Sequence, residues 1–211
     1  MRLYWDIETE GLPLKQIASI MPEFEAAGNI KDAEKIKASI ESKKAEWLDK
    51  TALKAITGKI VAVTIALGNV EPEMVIGDEN EIISRIVGEL KSCIAVGGQA
   101  YAWNGSGFDL PFICQRAAIY GISAFKDLTQ QRGSRFNWNE CLIDPKMVWS
   151  NYSPDHSGTS LKTVASVLRV GEKSGSGKDF AALLKSNPSE AEQYAKKDVS
   201  LLRSIVQRMG I

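Results

Sequence analysis

The chain reads as an α/β layered domain built on a mixed, five-stranded sheet. Three observations point there. From residue 59 onward, short apolar runs of strand character alternate with segments of helical spacing. Two of those runs, 59–67 and 73–76, are separated only by a short turn, so they pair as a hairpin and the sheet cannot be purely parallel. Finally, 211 residues, 44% of them hydrophobic, are enough for one sizeable core. No internal repeat and no second domain is evident.

Leu3 to Ile7 is a short buried strand that Gly11 and Pro13 end. Lys59 to Leu67 is the strongest strand signal, rich in β-branched residues. Gly68 and Asn69 turn it toward a partner at Glu73 to Ile76. Ile82, Ile83, Ile86 and Leu90 give 80–92 the spacing of a helix. Ala100 to Trp103 is a further strand. A helix follows over Asp109 to Tyr120, and Gly121 stops it. Cys141 to Ile143 is the fifth strand. Helices are expected at 160–169, 179–186 and 189–209, the last opening after Pro188 and Ser189.

Residues 12–57 fall outside this rhythm and carry no strand signal. They are expected to form a helical hairpin divided at Gly28 and Asn29, with Pro22 breaking or kinking its first half. Asn29 is the expected N-cap of the second arm, with Asp32 in the first turn. Ala33, Ile36, Ile40 and Trp47 mark one face. Lys31, Lys35, Lys37, Lys43, Lys44 and Lys50 are mixed with acids elsewhere. Two uses are open: a grip on a single nucleic-acid strand through those lysines, or a solvated helix with balanced charges or an oligomer contact through Trp47.

The 26 Lys and Arg balance 26 Asp and Glu, so the chain does not coat nucleic acid through bulk charge. Three cysteines without a CxxC pair argue against a disulfide framework and a zinc site, and fit a reducing, cytoplasmic compartment. No signal-peptide core and no run able to span a bilayer occurs, and a single histidine excludes multi-histidine metal sites.

The chemistry lies in three short acidic motifs. Asp6 and Glu8 are two apart on a strand, so their side chains share a face; two such carboxylates repel and need a compensating cation. Asp109 follows a strand and a Gly-rich turn, at the start of a helix. Tyr194 and Asp198 are four apart on a helix and share a face. Each alone has an ordinary reading: an acidic strand end, a helix N-cap, a solvated face with a half-buried tyrosine.

Together and in this order, Asp6-Ile7-Glu8-Thr9, Asn104-Gly105-Ser106-Gly107-Phe108-Asp109 and Tyr194-Ala195-Lys196-Lys197-Asp198 resemble the motifs of the DEDD superfamily of 3′–5′ exonucleases. The match is to its Tyr-containing branch, which holds the proofreading domains of family B DNA polymerases and related stand-alone phage and prokaryotic exonucleases. The resemblance implies a ribonuclease H-like fold over the whole of 1–211, with 12–57 as an insertion longer than the usual turn. It implies a stand-alone exonuclease that cuts single-stranded DNA from the 3′ end and releases nucleoside 5′-monophosphates. Two Mg²⁺ or Mn²⁺ ions are implied, held by Asp6, Glu8, Asp109 and Asp198, with Tyr194 orienting the attacking water. Thr9, Glu10, Gly11 and Leu12 would approach the terminal sugar. Asn104 and Phe108 would contact the strand, although core packing serves Phe108 equally well. Replication or repair proteins acting in trans are expected partners, and no membrane is. An RNA 3′-end trimmer and a non-catalytic nucleic-acid-binding module are the alternatives.

His156 is expected to be a solvated loop residue, because Tyr194 fills the place where the sister branch carries histidine. Asp144 is expected to cap a helix before Pro145. Residues 126–139 interleave basic and aromatic side chains, a composition suited to single strands. Gly171–Lys178 resembles a phosphate loop only in composition.

Overall fold

The structure, a computed structural model, describes residues 1–132, 135–153, 159–172 and 180–211, with side chains left aside at 131–136. His156 and most of the Gly/Ser/Lys-rich segment lie outside the described residues. In chain order the elements are β1 (Arg2–Gly11), α1 (Leu14–Ile17), α2 (Ala33–Asp49), β2 (Gly58–Leu67), β3 (Glu73–Ile76), α3 (Glu79–Ala95), β4 (Gln99–Tyr101) and α4 (Asp109–Ile119). They continue with α5 (Phe125–Leu128), β5 (Thr129–Arg132), β6 (Arg135–Trp138), β7 (Leu142–Ile143), α6 (Pro145–Trp149), α7 (Leu161–Leu168), α8 (Phe180–Ser186) and α9 (Pro188–Met209). The chain divides into two compact units, Met1–Glu8 with Ile60–Ile211, and Thr9–Lys59.

In the first unit a five-stranded mixed sheet has the order β3-β2-β1-β4-β7. β2 and β3 are antiparallel with Val63 opposite Val75, as the short turn between them requires. β1 pairs in parallel with β4 over Arg2–Tyr4 and Gln99–Tyr101, and β4 in parallel with β7. The carboxyl ends of β1, β4 and β7 therefore point to the same edge of the sheet.

Alternation along β1 decides what each face meets. Tyr4 stacks on Tyr101, with ring centroids 5.4 Å apart, and packs in one cluster with Val199, Leu202 and Val206 of α9. The even-numbered residues of β1 thus face α9. α9 buries Ala191, Tyr194, Ala195, Asp198, Val199, Leu202, Ile205 and Val206, a stripe at helical spacing. α7 and α8 pack beside it through Val164, Ala165 and Phe180.

α3 and α4 pack on one another and bury Ile82, Ile83, Ile86, Leu90, Ile113, Cys114 and Ala117. A polar knot sits between them. Glu79 accepts from the Ile60 amide at 2.8 Å, from Arg116 Nε at 2.8 Å and Nη2 at 2.5 Å, and from the Tyr120 hydroxyl at 2.9 Å. A buried carboxylate is tolerable only when its lone pairs are used in this way.

The second unit is helical, as expected, over its later half. α2 is capped by Asp32, which accepts from the Lys35 amide at 3.0 Å, and not by Asn29. Asn29 belongs to a turn closed by the Ile30 amide on the Ala27 carbonyl, so the helix starts three residues later. The earlier half has only α1 and a 3₁₀ turn, Ala18–Ile20, before irregular chain through Pro22. No residue of α2 is buried; Trp47 meets Phe24 edge-on at 6.3 Å. At the root of the unit Gly11 is required sterically, because a Cβ there would lie 2.2 Å from Thr51 Oγ1.

The segment 126–139, without strand signal in the sequence, contains the hairpin of β5 and β6. Among the described residues no helix is long and apolar enough to cross a membrane.

Candidate active site

β1 continues past the point where β4 leaves it at Tyr101. Asp6 and Glu8 project from this extension, on the face shared with Tyr4, and so toward α9. Tyr194 and Asp198 lie one turn apart on the buried stripe of α9. Strand pleat and helix repeat together bring Asp6, Glu8 and Asp198 into one place. One carboxylate oxygen from each lies within 4.8 Å of the others. Asp6 is half-buried, Glu8 is 7% exposed and Asp198 3%.

Asp109 arrives from the side of β4. It is the first residue of α4, whose N-cap is Phe108, so the capping role is not its own. Its Oδ1 instead accepts from the Ile7 amide at 3.3 Å, between the two acids of β1. The carboxylate takes up an edge donor that β4 no longer reaches. The mutually close trio consists of Asp6, Glu8 and Asp198; Asp109, 2% exposed, stands beside Asp6. Burial first, and then the Asp6 charge, push its carboxyl well above the ordinary 3.8.

Tyr194 is 7% exposed and its ring is 6.0 Å from that of Phe180, packed with Ala62, Ala191 and Ala195. The ring is fixed by the core, one helical turn before Asp198.

The other predicted site residues are placed as follows. Phe108 is half-buried and packs against Phe112, with centroids 5.5 Å apart. Asn104 has a left-handed backbone, with φ 62°, and its Oδ1 accepts from Lys146 Nζ at 2.9 Å. Thr9, Glu10, Gly11 and Leu12 belong to the second unit. Within it, the Thr9 hydroxyl donates to the Ala52 carbonyl at 2.7 Å, Glu10 pairs with Lys59 at 3.0 Å, and the Leu12 amide donates to the Thr57 carbonyl at 2.8 Å.

Asp144 caps α6, as its place before Pro145 predicts, by accepting from the Lys146 amide at 3.0 Å. It does more than the sequence disclosed. Its two oxygens also accept from the Asn104 amide at 2.9 Å, the Ser106 amide at 3.1 Å and the Ser106 hydroxyl at 2.6 Å. Trp138 Nε1 donates to the Ser106 carbonyl at 3.3 Å from the other side. The turn that delivers Asp109 is thus clamped by β7, α6 and β6. Neither Asp144's reach nor Lys146 carried a signal in the sequence, because both depend on β7 lying next to β4.

Three hard oxygen donors within 4.8 Å, in a largely buried setting, match the donor set of a divalent cation. Residues 48–201 match the family of predicted 3′–5′ exonucleases related to the exonuclease domain of PolB. The chain belongs to this family. The PolB-related match takes in the motifs around Asp109 and Asp198 but not Asp6 and Glu8, which only the fold brings to them. Membership agrees with the DEDD superfamily motifs of this exonuclease. Among solved structures, the family B DNA polymerase from the hyperthermophilic archaeon Pyrobaculum calidifontis matches with a TM-score of 0.62 at 15% identity. The likeness covers 99% of this chain and 24% of the polymerase, and it shows the ribonuclease H-like fold; the chain spans about a quarter of the polymerase's length. No curated protein matches the chain.

Proposed function

We propose that this exonuclease is a metal-dependent enzyme of the Tyr-containing branch that shortens single-stranded DNA from its 3′ end and releases nucleoside 5′-monophosphates. The observation that carries the reading is the convergence of Asp6, Glu8 and Asp198 within 4.8 Å. Three carboxylates so close repel one another and lose solvation, a cost that a bound cation offsets.

Asp6, Glu8 and Asp198 would hold one Mg²⁺ or Mn²⁺ ion, and Asp6 with Asp109 the second. A pair of divalent ions supplies charge for the attacking and leaving oxygens and lowers the pKa of water at neutral pH. The chain's own residues do the rest. The Tyr194 hydroxyl orients the attacking water, and its ring is held by Phe180 so that the aim does not wander. Asp109 stays in position through the Ile7 amide and the clamped turn. Thr9, Glu10, Gly11 and Leu12 are assigned to the terminal sugar, and Asn104 and Phe108 to the strand. We assign the enzyme to the cytoplasm, serving replication or repair proteins in trans.

The test is digestion of a 5′-labelled oligonucleotide with Mg²⁺ or Mn²⁺ against EDTA, with matched DNA and RNA. Stepwise shortening from the 3′ end is expected, stopped by EDTA and by Asp6→Ala or Asp198→Ala. Full activity in either variant would refute the site. Faster digestion of the RNA would move the substrate to RNA ends, and metal binding without hydrolysis would leave a binding module.

A further inference from the structure

The site carries four acids, and the whole chain has no net charge. A phosphate backbone approaching Asp6, Glu8, Asp109 and Asp198 therefore needs local cations to offset repulsion. The sheet indicates where to look. Because β1, β4 and β7 run parallel, the turn after β4 and the helix after β7 start at the same edge of the sheet as Glu8. In open α/β sheets that carboxyl edge is where ligands bind.

Lys146, in the first turn of α6, is half-buried there. Its ammonium donates to Asn104 Oδ1 at 2.9 Å and, among the described residues, has no carboxylate within 4.0 Å. An amide partner is neutral, so the full charge and two further N–H donors remain for a ligand. Asn104 has its Oδ1 occupied by the lysine, and the Nδ2 of the same carboxamide is a further donor group. Asp144, 8% exposed, spends its oxygens on the Asn104 amide, both Ser106 donors and the Lys146 amide, which fixes the lysine and the asparagine in one frame. Gly107 keeps the space over this pair open, since a Cβ there would lie 3.1 Å from Asn104 Oδ1.

We propose that the Lys146 ammonium and the Asn104 side-chain Nδ2 form a phosphate-binding subsite for the backbone of the single strand whose 3′ end is cut. The proposal rests on the exonuclease reading for its ligand, a polynucleotide, and assigns Lys146 a binding role separate from the acids. Asp144 is its positioning residue.

The experiment compares the full-length wild type with Lys146→Gln, which keeps an N–H for Asn104 Oδ1 but no charge, and Lys146→Arg, which keeps the charge. Binding of a 5′-fluorescein dT₁₂ with a phosphorothioate at its 3′-terminal linkage is followed by anisotropy in EDTA from 50 to 200 mM salt. For Lys146→Gln the expected Kd rises about 3- to 10-fold, and the log Kd against log salt slope falls by about 0.7, the share of one single-strand phosphate. In Mg²⁺ its kcat/KM falls by a similar factor through KM. Lys146→Arg is expected to keep the wild-type slope. A Lys146→Gln protein with wild-type Kd and slope overturns the proposal. So does a loss confined to kcat, or a slope reduced equally in Lys146→Arg, where misfolding and not charge would be at work. Wild-type protein that binds as described but never hydrolyses would sink the exonuclease reading and leave the subsite standing. Normal hydrolysis with an unaltered Lys146→Gln would do the reverse.

Discussion

Arg116→Met tests the buried ion pair between Arg116 and Glu79. The substitution keeps the apolar stem and removes the guanidinium, leaving Glu79 buried with only the Ile60 amide and the Tyr120 hydroxyl as donors. Arg116 and Glu79 are each 6% exposed, so the pair is not screened by solvent. Breaking a buried pair by deleting one partner costs about 3–5 kcal/mol. Two lost charge-assisted hydrogen bonds, at about 1.5–3 kcal/mol each, lead to the same range. For a chain of this length that is a fall in Tm of about 6–20 °C. Urea unfolding monitored by tryptophan fluorescence measures it directly. The double variant Glu79→Gln/Arg116→Met should be more stable than Arg116→Met alone, because it no longer buries an unmatched charge. Asp109 lies two turns earlier on the same helix, but its hold on Ile7 and its clamped turn are separate, so kcat at 20 °C should stay within about threefold. A cost below about 1 kcal/mol, or strict additivity in the double variant, would refute the argument.

Three further outcomes follow from the site. The Asp109 carboxyl is raised by burial, so its contribution to stability is complete below its ordinary value of 3.8 and is lost as pH rises through the raised value. In EDTA, Asp109→Asn should therefore melt higher than wild type near neutrality, with the gap closing toward acid; a gap that widens toward acid would contradict it. Tyr194→Phe keeps the contact with Phe180 but loses the hydroxyl, so kcat should fall about 10- to 100-fold while Tm barely moves. Asp144→Ala releases four donors at once and should cost about 1–3 kcal/mol by urea unfolding. Its kcat should also fall more than in Arg116→Met, because it loosens the turn that delivers Asp109.

Periodicity carried the sheet strands and the long helices, because alternation and helical spacing are local consequences of burial on one face. The antiparallel pairing of 59–67 with 73–76 and the long helix after Pro188 agree with it, while the register of Val63 opposite Val75 came with the structure. It did not carry β5 and β6, where Thr-Gln-Gln-Arg and Arg-Phe-Asn-Trp show no clean apolar and polar alternation, nor the start of α2, where Asp32 won over Asn29. The acids of the site were legible as residue types, since carboxylates in apolar surroundings call for compensation. Their arrangement was not uniform, however: Asp109 is tied to Ile7 beside the trio instead of standing in it.

Sequence by itself determined which side chains share a face: Asp6 with Glu8 and with Tyr4 on a strand, Tyr194 with Asp198 on a helix. It could not decide which face meets which, because that depends on packing between segments nearly two hundred residues apart. Tertiary structure settled it through the apolar contact of Tyr4 with Val199 and Leu202, which turns the acids of β1 toward Asp198. It also decided the neighbours of Asp144 and Lys146, since only the parallel pairing of β4 with β7 lays the helix after one strand beside the turn after the other.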